Sequence, residues 1–295
     1  MRLFIFLLLV NFAFSKVTIL EVMDMQTLDF DALKTNNVKF KSSTPFHEIS
    51  GATYDKANKT LYLISDKGIL FTLKATFDTK VHLKPIAAYY LRKKDGKRLK
   101  QSKRDSEDIV LDDKNNLYIS LEGKPKIYQI TKDGIKIQSL KLPKKLKEAK
   151  LRSENKSLES LAYNKEYGLL TALEFPPKGT KKSHQTIYSL KGKKWHYKTS
   201  KVKNSAITAI ENIDNNNVLI LERAYNGLFG KSAITIQKLN LKTDKQKQIW
   251  QINESSDYIE NYEALAKVGD NRYIIISDDN DNFFQKTKLI YFKIE

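Results

Sequence analysis

Along most of the chain, apolar and polar residues alternate in short runs rich in Ile, Leu, Tyr and Thr, and the runs break at clusters of Asp, Asn, Gly and Lys. A period of two over such lengths predicts β-strands joined by tight turns, with almost no helix. Five runs stand out, at 60–64, 116–120, 168–172, 217–221 and 272–276, each after a turn of the same polar character, such as Asp55-Lys56-Ala57-Asn58 or Asp112-Asp113-Lys114-Asn115. A short strand precedes each turn, and a strand of the type Lys126-Ile127-Tyr128-Gln129-Ile130 follows. One supersecondary unit recurs five times.

Aligned on their first strands, the units begin at Ile49, Ser106, Leu158, Ile207 and Tyr262, about fifty to fifty-seven residues apart. Repeats of that length with about four strands each are the signature of a β-propeller. A lone four-stranded sheet cannot bury both faces, so the blades must stack radially, and residues 16–295 are expected to form one domain. The all-β reading is five four-stranded blades. A sixth is left open by the irregular stretches 24–45 and 76–104, and a twisted β-sandwich is the competing fold. The last unit stops after its third strand, and the apolar-polar run at 17–22 can supply the outer strand and close the ring.

Residues 1–15 carry one charge at Arg2, an apolar run over 3–10 and a small-x-small ending at Ala13-Phe14-Ser15. That layout predicts a cleaved secretory signal and a periplasmic or secreted protein, a buried N-terminal strand being the bland alternative. The chain has no cysteine, which removes disulfides, thiolate metal sites, thiol catalysis and a lipid anchor on Cys. No later stretch is long and apolar enough to span a bilayer, and a monomer is expected. Lys+Arg number 52 against 34 Asp+Glu, a formal charge of +18 that favours anionic partners. The lysines are scattered over loops, as at Lys93-Lys94 and Lys181-Lys182, and no stacking motif accompanies them, so nucleic acid is not an expected partner.

Two columns of the repeat carry candidate chemistry. Position two of the first strand holds Ser50, Glu107, Glu159, Thr208 and Glu263, and the end of the second strand holds Asp66, Glu122, Glu174, Glu222 and Asp278. In an antiparallel hairpin the start of one strand lies beside the end of the next, so both columns belong at one end of every blade. First strands line a propeller's channel. Asp66, Glu107, Glu122, Glu159, Glu174, Glu222, Glu263 and Asp278 are therefore expected to ring one mouth. So many like charges must be partly protonated or neutralised by cations. An all-oxygen donor set without His or Cys suits Ca²⁺, or Mg²⁺, over transition metals. The alternative is a structural ring paired with Lys67, Arg104, Arg152 and Arg223. The run Asp278-Asp279-Asn280-Asp281-Asn282 suits calcium and an Asx-rich turn equally, since it lacks the spacing and terminal Glu of an EF-hand.

The chain resembles the phytase-like family described as "esterase-like activity of phytase". The likeness rests on Ile49-Ser50-Gly51-Ala52-Thr53-Tyr54-Asp55, Ser65-Asp66-Lys67-Gly68, Asp105-Ser106-Glu107-Asp108-Ile109, Asn155-Lys156-Ser157-Leu158-Glu159-Ser160-Leu161, Leu221-Glu222-Arg223, Asn261-Tyr262-Glu263-Ala264-Leu265 and Ser277-Asp278-Asp279-Asn280-Asp281-Asn282. It spans about residues 45–295 and implies an exported bacterial propeller with ester or phosphoester hydrolysis. The extended calcium motifs expected of alkaline propeller phytases have no match here, so phytate hydrolysis itself is not the expected activity.

For such an enzyme, metal-assisted hydrolysis of an anionic or phosphate-ester substrate is expected, with Glu159 or Glu263 accepting a proton from water and Lys67 and Arg223 binding the anion. A Ser50/His47 nucleophile is the lesser route, because no Gly-x-Ser-x-Gly elbow surrounds Ser50. His82, His184 and His196 show no metal-ligand spacing. The second class of reading is a non-catalytic periplasmic propeller that binds an anionic ligand or a partner protein at the same mouth.

Overall fold

The computed structural model describes residues 20–30, 33–34, 43–44, 46–153, 156–226, 233–253, 260–281 and 285–295. Five four-stranded antiparallel sheets stand around a ring. Blade one runs outward from Ile49–Asp55 through Thr60–Ser65 and Ile69–Phe77 to Val81–Tyr90. Blade two (Ser106–Leu111, Leu117–Leu121, Lys126–Ile130, Lys136–Ser139) repeats that order. So do blade three (Leu158–Asn164, Gly168–Leu173, His184–Ser189, Lys194–Lys198) and blade four (Ser205–Asn212, Asn217–Ala224, Ala233–Asn240, Gln246–Asn253). Blade five takes Asn261–Gly269, Arg272–Asp278 and Lys288–Ile294 from one end of the chain, and its outermost strand, Leu20–Thr27, from the other.

The ring is thus closed by the N-terminal strand, as the repeat predicts. That strand begins at Leu20 among the described residues, so residues 17–19 of the predicted segment, and the predicted signal at 1–15, lie outside the description. The stretches that left a sixth blade open hold other structure. Among the described residues they contain the rest of the closing strand, an antiparallel pairing of Leu33–Lys34 with Ser43–Thr44, the outer strand of blade one and a 3-10 turn at Gln101–Lys103.

Each pair of neighbouring blades encloses one apolar cluster. In the second strand of blade one, Leu61 and Leu63 face blade five, while Ile64 and Tyr62 face blade two. In blade five, Ile274 and Ile276 face blade one, and Tyr273 and Ile275 face blade four. Both faces of these strands are buried, which is why they read as nearly continuous apolar runs while the outer strands, such as Lys194–Lys198, alternate.

The innermost strands have one edge that no sheet partner covers, so their backbone groups there need side-chain partners. The Asp108 carboxylate accepts Ile109 N and, across the blade boundary, Leu161 N, both at 2.7 Å. Glu211 bridges blades four and five the same way, accepting Asn212 N at 2.6 Å and Lys267 N at 2.9 Å. Thr53 Oγ1 accepts Leu111 N at 3.2 Å, and the Ser50 hydroxyl donates to Ser106 O at 2.6 Å. Blades one and two approach so closely that a Cβ on Gly51 would lie 2.5 Å from Asp108 Cα. Only a glycine fits there.

Removing the Asp108 carboxylate leaves two buried N–H groups without acceptors, each worth about 1–3 kcal/mol. Asp108→Ala is therefore expected to lower unfolding free energy in urea by about 2–5 kcal/mol, and Asp108→Asn, which keeps one acceptor, by less. Equal losses for the two variants would contradict the two-way bridge.

Candidate functional site

The ladder between first and second strands slips at the same place in every blade. Ser50, Glu107, Glu159, Thr208 and Glu263 are each skipped by the pairing, which resumes one residue later. A bulged residue bends its strand and re-aims its side chain. The sequence column at position two is therefore a column of bulges, and in blades two, three and five the side chain it releases is a glutamate.

The second column is placed by hydrogen bonds to the residue just before each first strand. Asp66 N donates to Glu48 O at 3.1 Å, Glu122 N to Asp105 O at 2.9 Å, and Glu174 N to Ser157 O at 3.0 Å, while Asp278 pairs with Asn261. Blade four breaks the pattern. There Glu222 pairs with Ile207 and Arg223 pairs with Ala206, so Arg223 occupies the position held by acids elsewhere. Glu222 instead lies fully buried between blades three and four. Its carboxylate accepts the Tyr197 hydroxyl, Ser200 N at 2.8 Å, Ser205 Oγ at 2.7 Å and Gln237 Nε2 at 2.8 Å. With four protein donors on it, Glu222 is not among the acids the structure brings to the mouth. The signal was present in the sequence, because the column spacing shortens to 14 residues only in that unit.

The other seven predicted acids do converge, and two more join them. Asp105 and Glu48, each one residue before a first strand, belong to the same cluster; sequence alignment passed over them because the matching positions in blades three, four and five are Ser157, Ala206 and Asn261. Glu107, Glu159 and Glu263 lie deep within the protein yet keep contact with solvent along the channel, Glu263 with 16% of its side chain exposed. Burial, followed by the charges of Glu159, Glu122 and Glu263, pushes Glu107 well above the ordinary carboxylate range. Burial and then Glu174, Glu263 and Glu122 do the same to Glu159, against the opposing charge of Arg223. Glu122 is raised to about 7 by burial and then Asp105, Asp66 to about 6 by burial and then Glu48, and Asp278 to about 8 by burial and then Glu263.

Among the described residues, three cations reach the acids. Lys67 Nζ lies 2.6 Å from Glu48 Oε1 and 3.4 Å from Asp66 Oδ2, Lys156 Nζ lies 2.7 Å from Glu174 Oε2, and Arg223 Nη1 lies 3.0 Å from Glu263 Oε1. Lys156 went unpredicted, and Arg152 instead binds the carbonyls of Pro176 and Thr180. Asn261 Nδ2 also donates to Glu263 Oε1 at 3.0 Å, so this acid is doubly held. Asp105, Glu107, Glu122 and Glu159 have no cation within ion-pair distance and no hydrogen bond to their side chains among the described residues. Asp105, Glu107 and Glu122 can each present one oxygen so that the three atoms lie within 4.8 Å of one another. A three-carboxylate group of this kind fits a hard divalent cation, Ca²⁺ or Mg²⁺.

A second group, His47, Glu48 and Asp281, is similarly close, but Glu48 there already meets Lys67 and His47. The neighbouring acid run behaves as a turn. Asp278 accepts Asn280 N, and Asp279 accepts Glu48 N, Asp281 N and the Thr287 hydroxyl; Asn282 lies outside the described residues. Ser50 and His47 are not brought into contact, since Ser50 Oγ donates to Ser106 O and His47 Nδ1 lies 2.7 Å from Glu48.

Among solved structures, a luciferin-regenerating enzyme is similar at 10% identity and a TM-score of 0.45, over 84% of this chain and 92% of that one. A virginiamycin B lyase from Staphylococcus aureus aligns at 13% identity and 0.43, over 86% and 69%, and a PQQ-bound aldose sugar dehydrogenase from Streptomyces coelicolor at 9% and 0.39, over 92% and 99%. At these values the likenesses carry no argument about activity. No curated protein matches the chain in sequence. The family profile described as "Phytase-like: Esterase-like activity of phytase" matches residues 44–281, a span that takes in blades one to four and the two inner strands of blade five, and the chain belongs to this phytase-like family.

Proposed function

We propose that the protein is an exported, divalent-cation-dependent hydrolase of anionic esters or phosphoesters, acting as a monomer at the acidic mouth of the channel. The observation that carries this reading is the uneven distribution of cations. Blades one, three and five have Lys67, Lys156 and Arg223 against their acids, while Asp105, Glu107 and Glu122 of blade two meet in space without a paired cation among the described residues. A purely structural ring would be expected to balance every blade.

Asp105, Glu107 and Glu122 would hold the ion. When bound there it supplies Lewis-acid polarisation of an ester or phosphoryl oxygen. Glu159 is the better general base of the two predicted, because no ion pair or side-chain hydrogen bond engages it among the described residues, whereas Glu263 is held by Arg223 and Asn261. Glu263, held by Arg223 and Asn261, positions the guanidinium; Arg223 and Lys67 orient the anionic group of the substrate. A propeller that binds the same anions without turning them over would use the same side chains, and turnover separates the two.

Purified protein is expected to bind one Ca²⁺ tightly and to hydrolyse at least one member of a panel of phosphomonoesters, carboxylic esters and lactones. Glu107→Gln is expected to abolish metal binding by calorimetry, whereas Glu159→Gln keeps the metal and lowers kcat by about 10²–10⁴. No turnover anywhere in the panel, with calcium bound normally, favours the binding protein.

The raised carboxylates also fix a pH dependence. Folding increases their proton affinity, so without metal the folded state binds more protons than the unfolded chain, and stability falls as pH rises from about 4 through the values near 6, 7 and 8 of Asp66, Glu122 and Asp278. In chelator, Tm is expected to be higher at pH 5 than at pH 8. Added Ca²⁺ should narrow that gap by raising Tm mainly at pH 8. A Tm that climbs with pH in chelator contradicts the clustered acids.

A further inference from the structure

A cavity of about 1310 Å³ opens beside blade two at the same end of the molecule, and Asp105 and Glu122 line it. Its other walls come from three segments: the 3-10 turn at Gln101–Lys103, the link between the second and third strands of the blade, and the passage to blade three with its single helical turn, Lys144–Lys147. Two kinds of side chain dominate. Lys103, Lys124, Lys126, Lys141, Lys144 and Lys147 supply positive charge, and none of them forms an ion pair among the described residues. Leu140, Leu142, Ala149 and Leu151 supply apolar surface, and these are the outer margin of the core between blades two and three.

Lysines scattered on a surface are ordinary, but six line this one cavity against three carboxylates, Asp105, Glu122 and Glu148, and the excess of positive charge favours an anion among them. The field is felt next door, where Lys136 is pushed below its ordinary value by burial and then by Lys103 and Lys126. Bare phosphate does not account for the apolar wall or the size, because ligand sites of ~300–1,000 Å³ already hold molecules far larger than phosphate. The acids at the inner end are those assigned above to the cation, so a molecule in the cavity reaches that ion.

We infer that this cavity is the substrate cleft of the acidic mouth, and that its substrate is an amphiphilic anionic ester, whose apolar group packs on Leu140, Leu142 and Leu151 while its anionic group lies among the lysines. The assignment rests on the hydrolytic reading above for the chemistry, but not for the binding.

The probe is 1-naphthyl phosphate, titrated by calorimetry into the full protein in chelator, with inorganic phosphate in parallel. The aryl ester is expected to bind one to one and at least tenfold more tightly than inorganic phosphate. The double variant Lys141→Glu/Lys144→Glu changes exposed side chains only and is expected to weaken it at least tenfold; Leu140→Asn, which removes apolar surface without adding charge, is expected to weaken the aryl ester and leave inorganic phosphate unchanged. Equal affinity for the two probes, or no effect of the lysine reversal, overturns the inference. Vesicles containing phosphatidic acid are expected not to compete, because their apolar chains are held in the bilayer; competition by vesicles overturns the assignment to a soluble ester. With calcium present, the lysine reversal should raise KM and spare kcat. Hydrolysis with an unaltered KM in that variant sinks the cleft and leaves the hydrolase standing, whereas variant-sensitive binding without hydrolysis does the reverse.

Discussion

The structure turns on the free edge of its innermost strands. A strand at the centre of a propeller pairs with one neighbour in its own blade, and its other edge faces the next blade's innermost strand at an angle that no ladder can bridge. Side chains complete that edge: Asp108 and Glu211 by accepting two backbone N–H groups each, Thr53 by accepting one, Ser50 and Thr208 by donating to carbonyls of the next blade. The same strands slip at the second position in every blade. Where the bulged residue is Ser or Thr, its short side chain reaches only the neighbouring backbone. Where it is Glu, the longer chain carries a carboxylate into the channel. At the bulge one backbone device thus yields two outcomes, a bridge to the next blade from Ser50 and Thr208 and a mouth carboxylate from Glu107, Glu159 and Glu263, while Asp108, Glu211 and Thr53 bridge the blades from regularly paired positions.

That origin explains how much of the molecule could be read from the sequence. The repeat and its five-fold count follow from burial on both faces of the second strands, a pattern that any apolar residue of suitable size satisfies. The acids at position two were legible for a related reason, since a bulge recurs at a fixed distance from its strand. The second column was less secure. Its position is set by the hairpin's register, and blade four shifts by one residue, which sends Glu222 into a buried network with Tyr197, Ser200, Ser205 and Gln237 and puts Arg223 at the mouth. A one-residue shift reverses the face of a strand residue. Asp105, Glu48 and Lys156 were invisible as a column because they lie on the irregular segments entering the blades, where nothing periodic marks them. The cavity beside blade two was hidden for the same reason, as its lysines come from three separate connections.

Charge is distributed against the overall balance. The chain carries +18, yet the mouth gathers nine carboxylates, Glu48, Asp66, Asp105, Glu107, Glu122, Glu159, Glu174, Glu263 and Asp278, with Lys67, Lys156 and Arg223 as their cations. Arg223 is the most telling of the three. It stands in the column where four blades place an acid, between Glu159 and Glu263, and holds the second so that the first keeps its freedom. Replacing one acid of a ring by a guanidinium relieves like-charge repulsion more effectively than removing the acid would, because the substituted charge attracts the remaining ones.

The two fields together bear on how an anion could approach the mouth at all. Far from the protein, a basic surface draws anions in, but inside a low-dielectric channel the nearest charges dominate and the acids repel them. An anionic ester therefore needs either a cation among Asp105, Glu107 and Glu122 or a route along which positive side chains stay close. On the inference drawn above, the lysine-lined cavity is such a route, since Asp105 and Glu122, which have no paired cation among the described residues, stand in its wall. On the proposed reading, the divalent ion and the lysines solve one electrostatic problem at two distances: the lysines hold the anion short of the ring, and the ion converts the last few ångströms from repulsive to attractive. Blade two alone combines both, and it is there that the asymmetry of an otherwise repetitive fold is concentrated.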